Sequence, residues 1–192
     1  MRSGSSQYRV WFFLLIIFIV IWHKPILKTY LILDYGKEIV NYSRANGVNP
    51  ALVSAVIFVE SHFNPKAESH KGALGLMQVL PSTGDWVVNQ MSGEASTDLD
   101  LLDPQQNLKV GTWYLGYLKR YFNQNDYLAL ASYNAGHRYV LEWVAQGVWD
   151  GNSVRIEQIP FPETKEYLLK VLFFKKLYRY LYPEFLSGHQ GY

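Results

Sequence analysis

Hydrophobic positions along this chain recur mostly at helical spacing, and strand-like alternation is nearly absent. One segment differs in kind: Val10–Trp22 runs through thirteen apolar residues without a break. Further on, Ile39 and Val40 sit in a helical pattern that continues to the helix-stop pair Asn46-Gly47. Asn49-Pro50 then reads as an N-cap followed by proline at the first helical position. Of the nine residues Ala51–Val59 only Ser54 is polar, and a helix apolar on every side is buried. Leu76–Leu80 is a short apolar stretch ending at Pro81, and Asp103-Pro104 repeats the cap-plus-proline signature. The helix it opens directs Leu108, Leu115, Leu118 and Phe122 toward a core. Leu128–Asn134 predicts another helix, stopped by Gly136, and Tyr139, Val140, Trp143 and Val144 mark one more, stopped by Gly147. After Pro160 and Pro162, a long helix carries Leu168, Val171, Leu172, Leu177 and Leu181. The expected class is mainly α.

Composition narrows this picture. A length of 192 residues suffices for one domain with a real core and about 40 residues besides. With 49% apolar and 18% charged residues, the chain does not have the composition of a disordered one. No cysteine is present, which excludes disulfides, thiolate zinc ligands, a cysteine nucleophile and a lipidated cysteine. The net charge of +2 is unevenly placed: Arg2, Arg9, Lys24 and Lys28 precede Asp34 without any acid. From Asp34 onward, 14 basic residues face 16 acidic ones, so no nucleic-acid partner is expected.

The apolar run is shorter than the roughly 20 residues of a full span and would also suit the core of a signal peptide. A cleaved signal should end in small residues, yet no Ala, Gly or Ser lies between Ser6 and Gly36. The expectation is an uncleaved signal-anchor over residues 1–28, touching the membrane through Val10–Trp22. Tyr8, Trp11 and Trp22 would sit at the interfaces, with Lys24 reaching the headgroups. Residues 29–186 would form the domain outside the membrane, followed by a short tail, residues 187–192.

Four places could carry chemistry. Glu60 ends the fully apolar helix, where burial would disfavour its ionised form and raise its pKa. A carboxylic acid still protonated near neutrality can donate a proton to a leaving group, although helix-end glutamates are more often solvated. In Gly72–Gln78 (GALGLMQ), the glycines permit close backbone approach and Gln78 offers a donor and an acceptor. That stretch lacks the lysine and spacing of a phosphate loop. In Ala131–Gly136 (ASYNAG), Tyr133 and Asn134 are polar groups in an apolar helix end, equally compatible with a satisfied core tyrosine and a capping asparagine. Glu163 follows two prolines at a helix start, where the helix dipole alone would favour an acid. His62 and His70 lack metal-ligand spacing, and Ser61-His62 lacks a nucleophile elbow. Asp98, Asp100 and Asp103 read as structural, with Asp103 the N-cap.

In this order, Glu60–Gly84, Asp103–Leu118, ASYNAG and IPFPETKEYL resemble the catalytic domain of bacterial lytic transglycosylases of the soluble-lytic-transglycosylase (SLT) type, relatives of goose-type lysozyme. The resemblance covers roughly residues 36–182. It implies a lysozyme-like helical fold with a groove for the glycan strands of peptidoglycan, no cofactor and no metal. It also implies cleavage of the β-1,4 bond between N-acetylmuramic acid and N-acetylglucosamine without water, leaving 1,6-anhydromuramoyl ends. The resemblance places the catalytic acid on Glu60, with substrate-binding or transition-state support from Ser69, Gly75, Met77, Gln78, Tyr133, Asn134 and Glu163. Ser132 and Lys165 depart from the family's more usual alanine and arginine.

Overall fold

The computed structural model describes residues 4–92 and 98–186; the tail expected at 187–192 lies outside them. The chain divides into two compact units, residues 1–32 and 33–192. The first contains helix α1 (Gly4–Tyr30), whose side chains from Val10 to Trp22 are all substantially exposed. Among the described residues, α1 is the one helix long and apolar enough to cross a membrane.

In the second unit all described regular structure is helical: α2 (Gly36–Ala45), α3 (Pro50–Ser61), α4 (Pro81–Ser92), α5 (Pro104–Tyr121), α6 (Asp126–Ala135), α7 (His137–Ala145), a 3-10 segment (Ser153–Gln158), α8 (Pro162–Leu181) and α9 (Pro183–Leu186). The caps act as their chemistry predicts. The Asn49 side chain accepts from the N–H groups of Ala51 and Leu52, and that of Asp103 accepts from Gln106 N–H. Asn125 caps α6 in the same way through Tyr127 and Leu128. Helix α4 has no counterpart in the hydrophobic pattern: Pro81 opens it rather than closing the segment before it.

Helix α3 is the centre of the domain. Every residue from Pro50 to Ile57 is buried, which its all-round apolarity requires. It packs most extensively on α8, and α2, α5 and α6 complete the surroundings of this pair through their own contacts. Leu108, Leu115, Leu118, Leu168 and Val171 are fully buried, as their spacing predicts. Asp126, at the start of α6, receives Lys119 of α5 and Lys175 of α8, so one carboxylate ties three helices. From Phe58 to Glu60 the helix is only half-buried, and Glu60 lines a cleft.

Candidate active site

The cleft holds about 390 Å³ and is lined by Glu60, Ser69, Gln78, Tyr133, Asn134 and Glu163, among others. Six of the eight residues singled out from the sequence therefore converge on one surface. Gly75 and Met77 do not line it; they lie beneath and shape its floor.

Glu60 is placed by the end of α3. His62, in the left-handed conformation, terminates the helix, and the neighbouring Ser61 hydroxyl donates to the Leu76 carbonyl at 2.8 Å. That bond fastens the acid's helix to the GALGLMQ turn. The Glu60 pKa is pushed up from 4.5 to about 7, chiefly by burial and to a smaller extent by the nearby negative charge of Glu163. The hydroxyl of Tyr167 opposes both by stabilising the carboxylate. That hydroxyl is itself buried and makes no hydrogen bond of good geometry.

The floor is built by Asn107, fully buried on α5. Its Oδ1 accepts from Met77 N–H at 2.8 Å, while its Nδ2 donates to the carbonyls of Leu74 and Leu101, each at 2.8 Å. Gly75 (φ +72°) passes so close that a Cβ there would stand 2.2 Å from the Leu101 carbonyl oxygen, so no side chain fits. Met77 is fully buried, and its carbonyl accepts from the Tyr133 hydroxyl at 2.8 Å. Gln78 has a left-handed backbone (φ 47°), which turns its side chain back: Nε2 donates to Gly75 and Ala67 carbonyls, leaving the amide oxygen for a ligand. Backbone strain of this kind is concentrated at functional sites.

On the rim, Ser69 Oγ accepts from Ala73 N–H, so its hydroxyl hydrogen can face the cleft. Asn134 accepts from Thr164 Oγ1 of α8 at 2.7 Å rather than capping α6, which leaves its Nδ2 as a donor. Glu163 is largely exposed and lies 3.8 Å from Lys71, a pair too solvated to contribute much. Ser132, the departure from the family's usual alanine, is buried with its hydroxyl unpartnered.

Neither Tyr133, whose hydroxyl donates to the Met77 carbonyl, nor Asn134, whose oxygen accepts from Thr164, hydrogen-bonds Glu60. The group that meets the acid is Tyr167, which the motif reading did not single out. A signal for it existed: it lies four residues after Glu163, on the face of α8 that carries Thr164 and Leu168 inward. Tyr114, its pKa raised to about 12 by burial, also lines the cleft and remains a phenol at all relevant pH. For Asn107, an asparagine at a core-facing helix position was the available signal.

A buried acid with its pKa raised toward neutrality, set among hydroxyl, amide and phenol groups with the Lys71–Glu163 pair at the rim, can serve proton transfer to a polar substrate. The family model described as the transglycosylase SLT domain matches residues 38–155, and the chain belongs to that family. It is 35% identical over 150 residues to the soluble lytic murein transglycosylase of Escherichia coli K12, covering 77% of this chain and 23% of that protein. It is 32% identical to membrane-bound lytic murein transglycosylase C of Cronobacter sakazakii, covering 71% and 44% respectively. The crystal structure of the 70 kDa soluble lytic transglycosylase of Escherichia coli superposes with a TM-score of 0.76 at 32% identity, over 86% of this chain and 27% of that one. An inactive mutant of the Pseudomonas aeruginosa enzyme gives 0.71 at 30%, over 80% and 25%. The fold is therefore that of the lytic transglycosylase catalytic domain, and this chain spans about a quarter of the length of its soluble relatives.

Proposed function

We propose that this protein is a peptidoglycan lytic transglycosylase in which Glu60 acts alone as acid and then base. The observation that carries the reading is the setting of Glu60: largely buried in the cleft, its pKa raised to about 7 chiefly by that burial, with the exposed Glu163 the only other carboxylate among the described residues that line it. Hydrolysis of glycosides commonly uses two carboxylates, the second activating water or attacking the sugar. A single buried acid suits a reaction whose nucleophile belongs to the substrate. Glu60 gives its proton to the glycosidic oxygen as the bond to C1 of muramic acid breaks. Its carboxylate then takes the proton of the C6 hydroxyl as O6 bonds to C1, closing the anhydro ring and restoring the acid. No water is consumed, and the intramolecular hydroxyl gains from proximity.

Ser69, the Gln78 oxygen and the Asn134 amide are placed to bind hydroxyl and acetamido groups, while Tyr167 steadies the carboxylate formed midway. Gly75 and Met77 serve by shaping the floor. The apolar helix α1 supports a membrane tether through Val10–Trp22, with the catalytic unit held in the periplasm against the wall. Digestion of purified sacculi followed by mass spectrometry tests the chemistry, with anhydromuropeptides expected. Reducing ends alone would establish instead a hydrolase of the same fold, undiminished digestion by Glu60→Gln would remove Glu60 from the acid's role, and binding to sacculi without digestion would reduce the protein to a non-catalytic module. The mass of the protein extracted from membranes tests whether the leader is retained.

A further inference from the structure

Helix α8 buries one face against the core through Thr164, Tyr167, Leu168, Val171 and Tyr178, yet its outer face is not simply polar. Leu169 and Phe173, one turn apart, are 49% and 60% exposed, and Phe173 is the most exposed aromatic side chain described in the second unit. Leu177 continues the line, half-buried, toward the end of the helix. The surroundings are basic. Residues 167–182 carry Lys170, Lys175, Lys176 and Arg179 and no acid, although acids outnumber basic residues after Asp34. Lys170 pairs with Glu166 and Lys175 with Asp126. Lys176 and Arg179 are exposed and pair with no acid among the described residues. Apolar side chains exposed together and flanked by cations mark an interaction surface rather than ordinary solvated helix.

We infer that this face of α8 docks the domain on the anionic phospholipid surface of the bilayer that α1 crosses. A helix lying in a membrane interface has the same chemistry: Leu and Phe sink into the boundary of headgroups and acyl chains, and flanking Lys and Arg meet phosphate. The long stems of Lys176 and Arg179 can cover apolar surface while their charges stay at headgroup level. Residues 31–35 alone join α1 to α2, and a chain of that length reaches about 18 Å at most, so a domain carried by an inserted α1 stays close to lipid. Such tethering raises the effective concentration of the bilayer and favours it over a partner that must arrive by diffusion. The opposite face of the same helix supplies Tyr167 to Glu60 and Thr164 to Asn134, so docking would also fix how the cleft faces the wall. The inference rests on the proposed membrane tether, not on the transglycosylase chemistry.

The chain has no cysteine, so one introduced cysteine gives one labelled position. Full-length protein carrying a fluorophore at Leu169→Cys on α8, at Gln90→Cys on the exposed side of α4, or at Ile16→Cys in α1 is reconstituted into vesicles containing nitroxide-labelled lipid. The vesicles are phosphatidylcholine alone, or phosphatidylcholine and phosphatidylglycerol in roughly equal parts. In the anionic vesicles the Leu169→Cys label should be quenched about threefold more than the Gln90→Cys label, and in neutral vesicles the two should be nearly alike. Adding Lys176→Gln and Arg179→Gln should lower the ratio of docked to undocked protein by roughly fivefold for each charge removed. Digestion of sacculi in detergent by that variant should be unchanged, which shows that its domain is folded. Weak quenching at Leu169→Cys beside strong quenching at Ile16→Cys would overturn the docking and leave the tether standing. Equal quenching in neutral and anionic vesicles would overturn recognition of anionic lipid. A Leu169→Cys label shielded only as protein concentration rises, without quenching by lipid, would assign the face to a second copy of the chain and overturn the proposal. No quenching at Ile16→Cys would overturn the tether, and the docking with it.

Discussion

Replacing Glu60 by glutamine should stabilise the protein, and the gain should depend on pH. The folded state raises the Glu60 pKa from 4.5 to about 7, mainly through burial. Between these values the folded form keeps a proton that the unfolded chain releases, so stability contributed by this group falls as pH rises through the window. Above about pH 7 the full penalty is present, and at about 1.4 kcal/mol per pH unit it reaches roughly 3 kcal/mol. Glutamine is close in shape and carries no charge at any pH. At pH 8 the variant should therefore melt higher by roughly 6 to 12 °C, taking about 2–4 °C per kcal/mol for a domain of this size. At pH 4 both proteins hold a neutral group and should melt together. Thermal unfolding of the two proteins between pH 4 and 8.5, in the same detergent, reads the difference directly. A constant offset across that range, or a less stable variant at pH 8, would refute the claim that Glu60 is held protonated by its surroundings. Loss of catalysis with a gain in stability is what a strained functional acid predicts.

Tyr167→Phe removes the hydroxyl that holds the Glu60 pKa down, so the alkaline limb of the pH–activity profile should move to higher pH; a profile that only scales in height would show a purely structural role. Asn107→Ala orphans Met77 N–H and the Leu101 carbonyl and leaves the Leu74 carbonyl with Val79 N–H alone, and denaturant unfolding should show a loss of roughly 2–4 kcal/mol. Ser132→Ala removes a buried hydroxyl without a partner, so the same measurement should show stability unchanged or raised by about 1 kcal/mol.

The elements and the acid were legible in the sequence because their signals are local. Asn49-Pro50 and Asp103-Pro104 set helix starts through bonds spanning two or three residues, and the structure keeps both. The apolar run Ala51–Val59 announced a buried helix, and hence a glutamate at its end with a raised pKa, before any neighbour was known. Helix α4 was hidden because Pro81 serves equally as a stop and as a first helical residue, and a short amphipathic segment carries little periodic signal.

The sequence by itself determined most of the helical segments, α4 excepted, that Glu60 ends the buried one, and that the basic excess lies before Asp34. Only the tertiary structure decided the partners: Tyr167 against Glu60, Asn107 under the GALGLMQ turn, Tyr133 on the Met77 carbonyl, and Trp86 over the rings of α5. The reason is one of range. Helix periodicity and capping are settled within a turn or two of chain, whereas Glu60 and Tyr167 are brought together by the packing of α3 on α8, which no local pattern encodes.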